Sequence, residues 1–301
     1  MALTRVLGAG FARVSATEYD GRLPPFIIPR SACLVAGLVL LAGCKPPEQA
    51  AVTSIVGAVL IDGTGGPPVS NSIVTIEGGR IRAAGSRVNL PVPLEAVTVD
   101  GSGKFLMPAP IDVLARPADG KPRYTVVRPG DPDSALNAPR RGRTPLFGDI
   151  FSLRDARAMV DRGVTGLLHM IRDTEAIDPA FIARLRDLRI VCVPMLAEER
   201  EPARLAIAKR NTKRLADGGV LVAVGSGSDP DREMDLLAEA GLAPGDVLVA
   251  ATRNGALALH ELADRGTIEP GKRADLLLLL ANPVEDIRNA RRIDRAWRGE
   301  Q

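Results

Sequence analysis

Residues Gly266-Thr267-Ile268-Glu269-Pro270-Gly271-Lys272-Arg273-Ala274-Asp275-Leu276 decide the fold of this chain. Gly266 and Gly271 suit turns, because glycine takes positive backbone angles without a Cβ clash. Asp275 is placed to order the second turn, and the leucine run at 276–280 reads as a buried strand. Residues 292–298 read as another, with Trp297 as a packing residue. The front of the chain has the same grain. Residues 54–61 read as a strand, Asp62-Gly63-Thr64-Gly65-Gly66 as a turn, 72–76 as a second strand, and Gly78-Gly79 as a hairpin turn into 80–84. Strands over 97–100 and 105–107 follow. Short strands at close spacing with glycine turns predict a small β-sandwich or barrel unit.

Between the ends the pattern changes to alternating strand and helix. A helix over 153–162 ends at Gly163, and a strand covers 164–170. Asp178 caps a helix with Pro179 in its first position, running to about residue 188. Residues 190–193 form a strand, 201–217 a helix closed by Gly218-Gly219, and 220–224 a strand. Pro230 opens a helix that ends at Gly241, and a final helix covers 244–262. This repetition predicts a parallel sheet or a (β/α) barrel. Residues 117–148 are rich in Pro, Gly and Arg, show little helical periodicity, and read as a loop.

The quoted stretch resembles G-x-I-x-x-G-K-x-A-D-L of the amidohydrolase superfamily. Residues 233–244 resemble its r-E-x-x-L-L-v-e-A-G-l-s-P, and Ala250-Ala251-Thr252-Arg253-Asn254-Gly255-Ala256 its A-A-T-x-N-x-A. The run Asn282-Pro283-Val284-Glu285-Asp286-Ile287 completes a pattern similar to the imidazolonepropionase-like and prolidase-like branch. Residues 103–116 resemble the first barrel strand, G-K-x-x-x-P-G-x-I-D-x-H-x-H. Gly163-Val164-Thr165-Gly166-Leu167-Leu168-His169 resembles the sixth, 193–196 the seventh, and 222–227 the eighth. The resemblance implies an α/β fold. Its parts are a TIM-like (β/α) barrel, here incomplete, over 109–263, and a β-sandwich domain composed of 54–108 and 264–301. A complete barrel needs eight βα units and roughly 250 residues. The second to fifth strands have almost no room before residue 151.

The resemblance also implies a divalent metal, zinc or another, in an active member. The first-strand histidines that bind it fall here on Leu114 and Arg116, and the eighth-strand aspartate falls on Gly227. His169 occupies the sixth-strand ligand position and is the candidate metal ligand. Asp229, on the loop after Gly227, is the candidate catalytic carboxylate, although beside Pro230 it also reads as a helix cap. The chain holds two histidines in all, and His260 sits on the last helix. Three protein ligands are the usual minimum for a catalytic zinc. Three readings follow. One is a hydrolase of C–N bonds in a small amide or peptide-like substrate, using His169 and nearby carboxylates. Another is a degenerate relative that binds a ligand or partner without catalysis. The third is an internally deleted product without stable function.

The 301 residues are 46% apolar and 25% charged, which fits a globular body. A net charge of +3 with 3% aromatics argues against a nucleic-acid partner. Arg140, Arg141 and Arg143 read as a solvated loop. Of the three cysteines, Cys192 lies in an apolar strand, and no spacing suggests zinc or a disulfide framework. Near the front, Arg22 and Arg30 precede an apolar run that ends in Leu41-Ala42-Gly43-Cys44 and Lys45-Pro46-Pro47. This resembles a bacterial lipobox, which implies a signal peptide over 1–43, lipidation at Cys44 and a tether over 44–53. The expected location is the cell envelope, at the periplasmic face of the outer membrane in a Gram-negative source.

Overall fold

Short paired strands and proline-started helices account for nearly all of the regular structure. The computed structural model describes residues 51–116, 120–121, 123–137, 144–227 and 229–299. The expected signal peptide, Cys44, most of the tether, and Arg140, Arg141 and Arg143 lie outside the described residues. The front of the chain forms a four-stranded sheet from β1 (Val52–Val56), β3 (Ser72–Glu77), β4 (Arg80–Ser86) and β5 (Val97–Asp100), in the order β4-β3-β1-β5. A second four-stranded sheet joins the two ends of the chain. It contains β2 (Val59–Leu60), β6 (Phe105–Pro108), β12 (Leu276–Leu279) and β13 (Ile293–Trp297), in the order β13-β12-β6-β2. One apolar cluster takes Ile55, Val74 and Ile81 from the first sheet and Leu60, Leu106, Leu276 and Leu278 from the second. The single strand expected over 54–61 is two strands, broken at Gly57, whose φ is +86°. β1 starts at Val52, so the last two residues of the expected tether belong to the sheet.

The turn at Gly266 shows why this part of the sequence is so specific. Its φ is +96°, and a Cβ there would lie 2.5 Å from the Ala256 Cβ and 3.0 Å from the Thr252 carbonyl oxygen. Only glycine fits that approach. Beyond it, Ile268 N–H bonds Asp62 O at 2.8 Å, and Gly299 N–H donates to Asp275 Oδ1 at 3.0 Å. Asp275 therefore fastens the backbone after β13, at Gly299, whereas it was expected to order the second turn.

The third sheet has five parallel strands in the order β11-β10-β9-β8-β7. They are β7 (Thr125–Val127), β8 (Leu146–Asp149), β9 (Gly166–Leu168), β10 (Val191–Val193) and β11 (Leu221–Val222). Two of them correct the expected loop over 117–148, which contains β7 and most of β8. These strands are three and four residues long, too short to carry a period-2 signature. Pairing and packing make them: Val126 pairs with Phe147, and the Tyr124 ring meets Phe147 edge-on at 5.5 Å. Counted back from β9, which resembles the sixth barrel strand, β8 and β7 take the fifth and fourth places. The sheet is open. Its β11 edge is continued by the segment after β6, where Val113 N–H bonds Val224 O at 3.0 Å. The stretch 103–116 is thus divided between two sheets.

Side chains alternate across this sheet as strand geometry requires. Phe147, Leu168, Val191, Val193 and Ala223 face inward with Ile111 and Val113. Leu146, Leu167, Cys192 and Val222 face outward, into the cluster that holds the helices. The helices are α1 (Leu153–Asp161), α2 (Pro179–Asp187), α3 (Pro202–Asp217), α4 (Pro230–Glu239), α5 (Pro244–Ala251) and α6 (Arg253–Ala258). Ser152 and Asp155 form a capping box on α1, and Asp178 caps α2. The one helix expected over 244–262 is α5 and α6, broken at buried Thr252, whose hydroxyl donates to Leu248 O at 2.7 Å.

Candidate functional site

The carboxyl ends of β8, β9, β10 and β11 bring together polar groups that lie far apart in sequence. β8 ends in Asp149, and His169 follows β9. Their side chains meet, with His169 Nδ1 2.8 Å from Asp149 Oδ1. The other ring nitrogen, Nε2, lies 3.8 Å from Glu198 Oε2, on the 3-10 turn Leu196–Glu198 after β10. Arg128 Nε sits 3.3 Å from the second Asp149 oxygen. His169 has a φ of +63°, uncommon for a residue with a side chain. The turn after β9 is therefore strained, and the contacts of the imidazole with the Asp149 carboxylate help to hold it there.

A second group lies between β11 and α4. Asp112 Oδ1 accepts the Leu114 N–H at 2.8 Å and the Ser226 N–H at 3.2 Å. Its Oδ2 accepts the Ser226 hydroxyl at 3.1 Å. Two of these bonds, both to Ser226, fasten the segment after β6 to the end of β11, and the third holds the turn at Leu114. Glu233, in the first turn of α4, is fully buried, and its Oε2 accepts the Ala197 N–H at 2.8 Å. Its Oε1 has no hydrogen-bond partner. Burial, with Asp112 and Glu198 adding negative charge nearby, pushes the Glu233 carboxyl up to about 7.

The metal implied by the resemblance does not fit these residues. At Leu114 the side chain packs in the inner apolar cluster, and its Cγ lies 3.3 Å from the point where a Cβ on Gly225 would sit. Gly227, at φ +68°, presents no side chain, and the Glu198 carboxylate lies 3.5 Å from where its Cβ would be. His169 and Glu198 supply two donors toward the space that the missing groups would share. Among the described residues, no cluster of three or more His, Cys, Asp or Glu has the geometry to hold a metal ion. A zinc site needs about three such ligands and an open position for water.

Other candidates have local structural work. Asp229 is exposed, and its carboxylate accepts the Arg232 N–H at 2.9 Å, capping α4. Asp173 accepts the Leu153 N–H at 3.0 Å at the start of α1. Cys192 is buried among apolar groups, which pushes its thiol up to about 12 and leaves it un-ionised at neutral pH. His260 is exposed beyond α6. The sequence reading missed Asp149, Glu198 and Glu233 as members of the site. Asp149 was readable only with β8 in place, because a carboxylate that ends a parallel strand points to the sheet's functional edge.

Comparison with known proteins agrees with this arrangement of sheets and helices. The amidohydrolase family matches residues 144–298. A putative prolidase from Bifidobacterium longum superposes with a TM-score of 0.64 at 18% identity, covering 81% of this chain and 92% of its own. Molinate hydrolase gives 0.67 at 15% identity, covering 83% of this chain and 94% of its own. Ochratoxinase from A. niger gives 0.67 at 15%, covering 83% and 95%. No curated protein matches. At such identities the superpositions speak for the fold, whereas the family match spans half of the sequence, from β8 through all six helices to β13. The chain belongs to the amidohydrolase family.

Proposed function

We propose that this protein is a lipid-anchored amidohydrolase relative that has lost metal-dependent hydrolysis and binds a small amide or peptide-like ligand at the carboxyl ends of its parallel strands. Its barrel is incomplete, and its two small sheets form a sandwich. The observation that carries the reading is the rim itself. Leu114, Arg116 and Gly227 stand where the resemblance puts metal ligands, and among the described residues no cluster around His169, Asp149 and Glu198 is suited to a metal ion. Hydrolysis by a metal needs the ion to acidify water and polarise the carbonyl, and this donor set is too small to hold it. The related proteins named prolidase and molinate hydrolase motivate the ligand class. Purified full chain is expected to leave N-acyl amino acids, dipeptides and cyclic amides unhydrolysed with zinc, manganese or cobalt added. Metal-stimulated turnover abolished by His169→Ala would overturn the reading. Anchoring is tested separately: palmitate should label the wild type and not Cys44→Ala.

A second reading rests on the 2.8 Å contact between His169 and Asp149. A carboxylate that orients an imidazole can make it a general base. In that case hydrolysis survives chelators and is lost in both His169→Ala and Asp149→Asn.

A further inference from the structure

A cavity of about 360 Å³ opens where the chain leaves β6 for the parallel sheet. Residues 109–111 form one wall, and Arg265, Arg273, Arg298 and Asp275 line the rest. Asp112 and the His169 group belong to the strand ends and take no part in its lining. The arginines differ in their surroundings. Arg273 is held on two sides, with Nε 2.9 Å from Asp264 Oδ2 and Nη2 3.5 Å from Asp275 Oδ2. Arg265 pairs with Glu261, which Arg123 also approaches at 3.3 Å. Arg80 approaches Asp264 at 2.8 Å. The side chain of exposed Arg298 makes no hydrogen bond or ion pair among the described residues. Arg265, Arg273 and Arg298 thus line the cavity with one carboxylate, Asp275, while Glu261 and Asp264 pair with Arg265 and Arg273.

We propose that this cavity binds a phosphate monoester, with Arg298 closing on the dianion over the fixed guanidinium of Arg273. Guanidinium forks match phosphate oxygens in pairs and stay charged at every physiological pH. A plainer role for arginines near β13 is to keep the edge of its sheet from pairing with another chain. Arg292 and Arg295 suit that role, but Arg298 lies past the end of the strand and lines the cavity.

Calorimetric titration of methyl phosphate into the full chain tests the proposal, with Arg298→Ala and Arg292→Ala as the variants. Arg292 is exposed and lies outside the cavity. Saturable binding is expected, weakened about tenfold by Arg298→Ala, the size of one charge-assisted hydrogen bond, and unchanged by Arg292→Ala. Sedimentation with vesicles of phosphatidylcholine and phosphatidic acid asks whether the monoester belongs to a lipid. Vesicle binding lost in Arg298→Ala, without binding of methyl phosphate, would assign the same site to a headgroup. No saturable binding of either probe, or equal weakening by both variants, would overturn the proposal.

Discussion

The sheets at the two chain ends and the rim of the parallel sheet have kept different things. At the ends, each family residue still holds backbone: Gly266 makes its close turn, and Asp275 fastens Gly299. At the rim, the positions where the sequence resemblance puts metal ligands carry Leu114, Arg116 and Gly227. Leu114 has joined the apolar packing there. The contrast teaches that the constraints on this fold are separable. A turn that only glycine can make is needed by every folded copy, whereas a metal ligand is needed only by a catalyst.

The contrast can be broken at the ends first. Gly266→Ala places a methyl against Ala256 and the Thr252 carbonyl at positive φ. It should cost about 3–5 kcal/mol in urea unfolding. A loss under about 1 kcal/mol would show that the turn does not hold the ends together.

Glu233 sharpens the contrast at the rim. Its folded pKa is raised to about 7 from 4.5, so the stability that it contributes is fully present below the unfolded value and lost as pH rises through the folded one. Between pH 5 and 8 the loss should be about 2–3 kcal/mol. Unfolding measured at both pH values should show that slope in the wild type and a flatter profile in Glu233→Gln. Equal slopes in the two proteins would mean that the carboxyl is solvated. Asp112→Ala removes the acceptor for three hydrogen bonds at the junction with β11. A loss of about 1–3 kcal/mol is expected, with a shift in the amide resonance of Ser226. The smallest effect belongs to Asp229→Ala, about 1 kcal/mol from the lost α4 cap. Ligand affinity measured in parallel should not move, and a large drop would return Asp229 to the site.

Much of the fold was legible because its signals are local. Proline after a capping residue marked α2 and α4, and the Gly78-Gly79 pair marked the hairpin of β3 and β4. β7 and β8 were hidden because three or four residues carry no period, and their stability comes from pairing and from the contact of Tyr124 with Phe147. The break at Thr252 was hidden for a similar reason, since a buried hydroxyl bonding back one turn leaves no trace in the helical pattern. His169 was visible at the site by its place in a motif. Its partners Asp149 and Glu198 were not, because they come from the ends of neighbouring strands and meet only once the sheet is formed.

The central claim is that this rim no longer holds a catalytic metal. Equilibrium dialysis of the purified full chain against zinc, followed by elemental analysis, tests it directly when wild type and His169→Ala are compared. Substoichiometric zinc, equal in the two proteins, is the predicted result. One tightly held zinc per chain in the wild type, absent from His169→Ala, would contradict it.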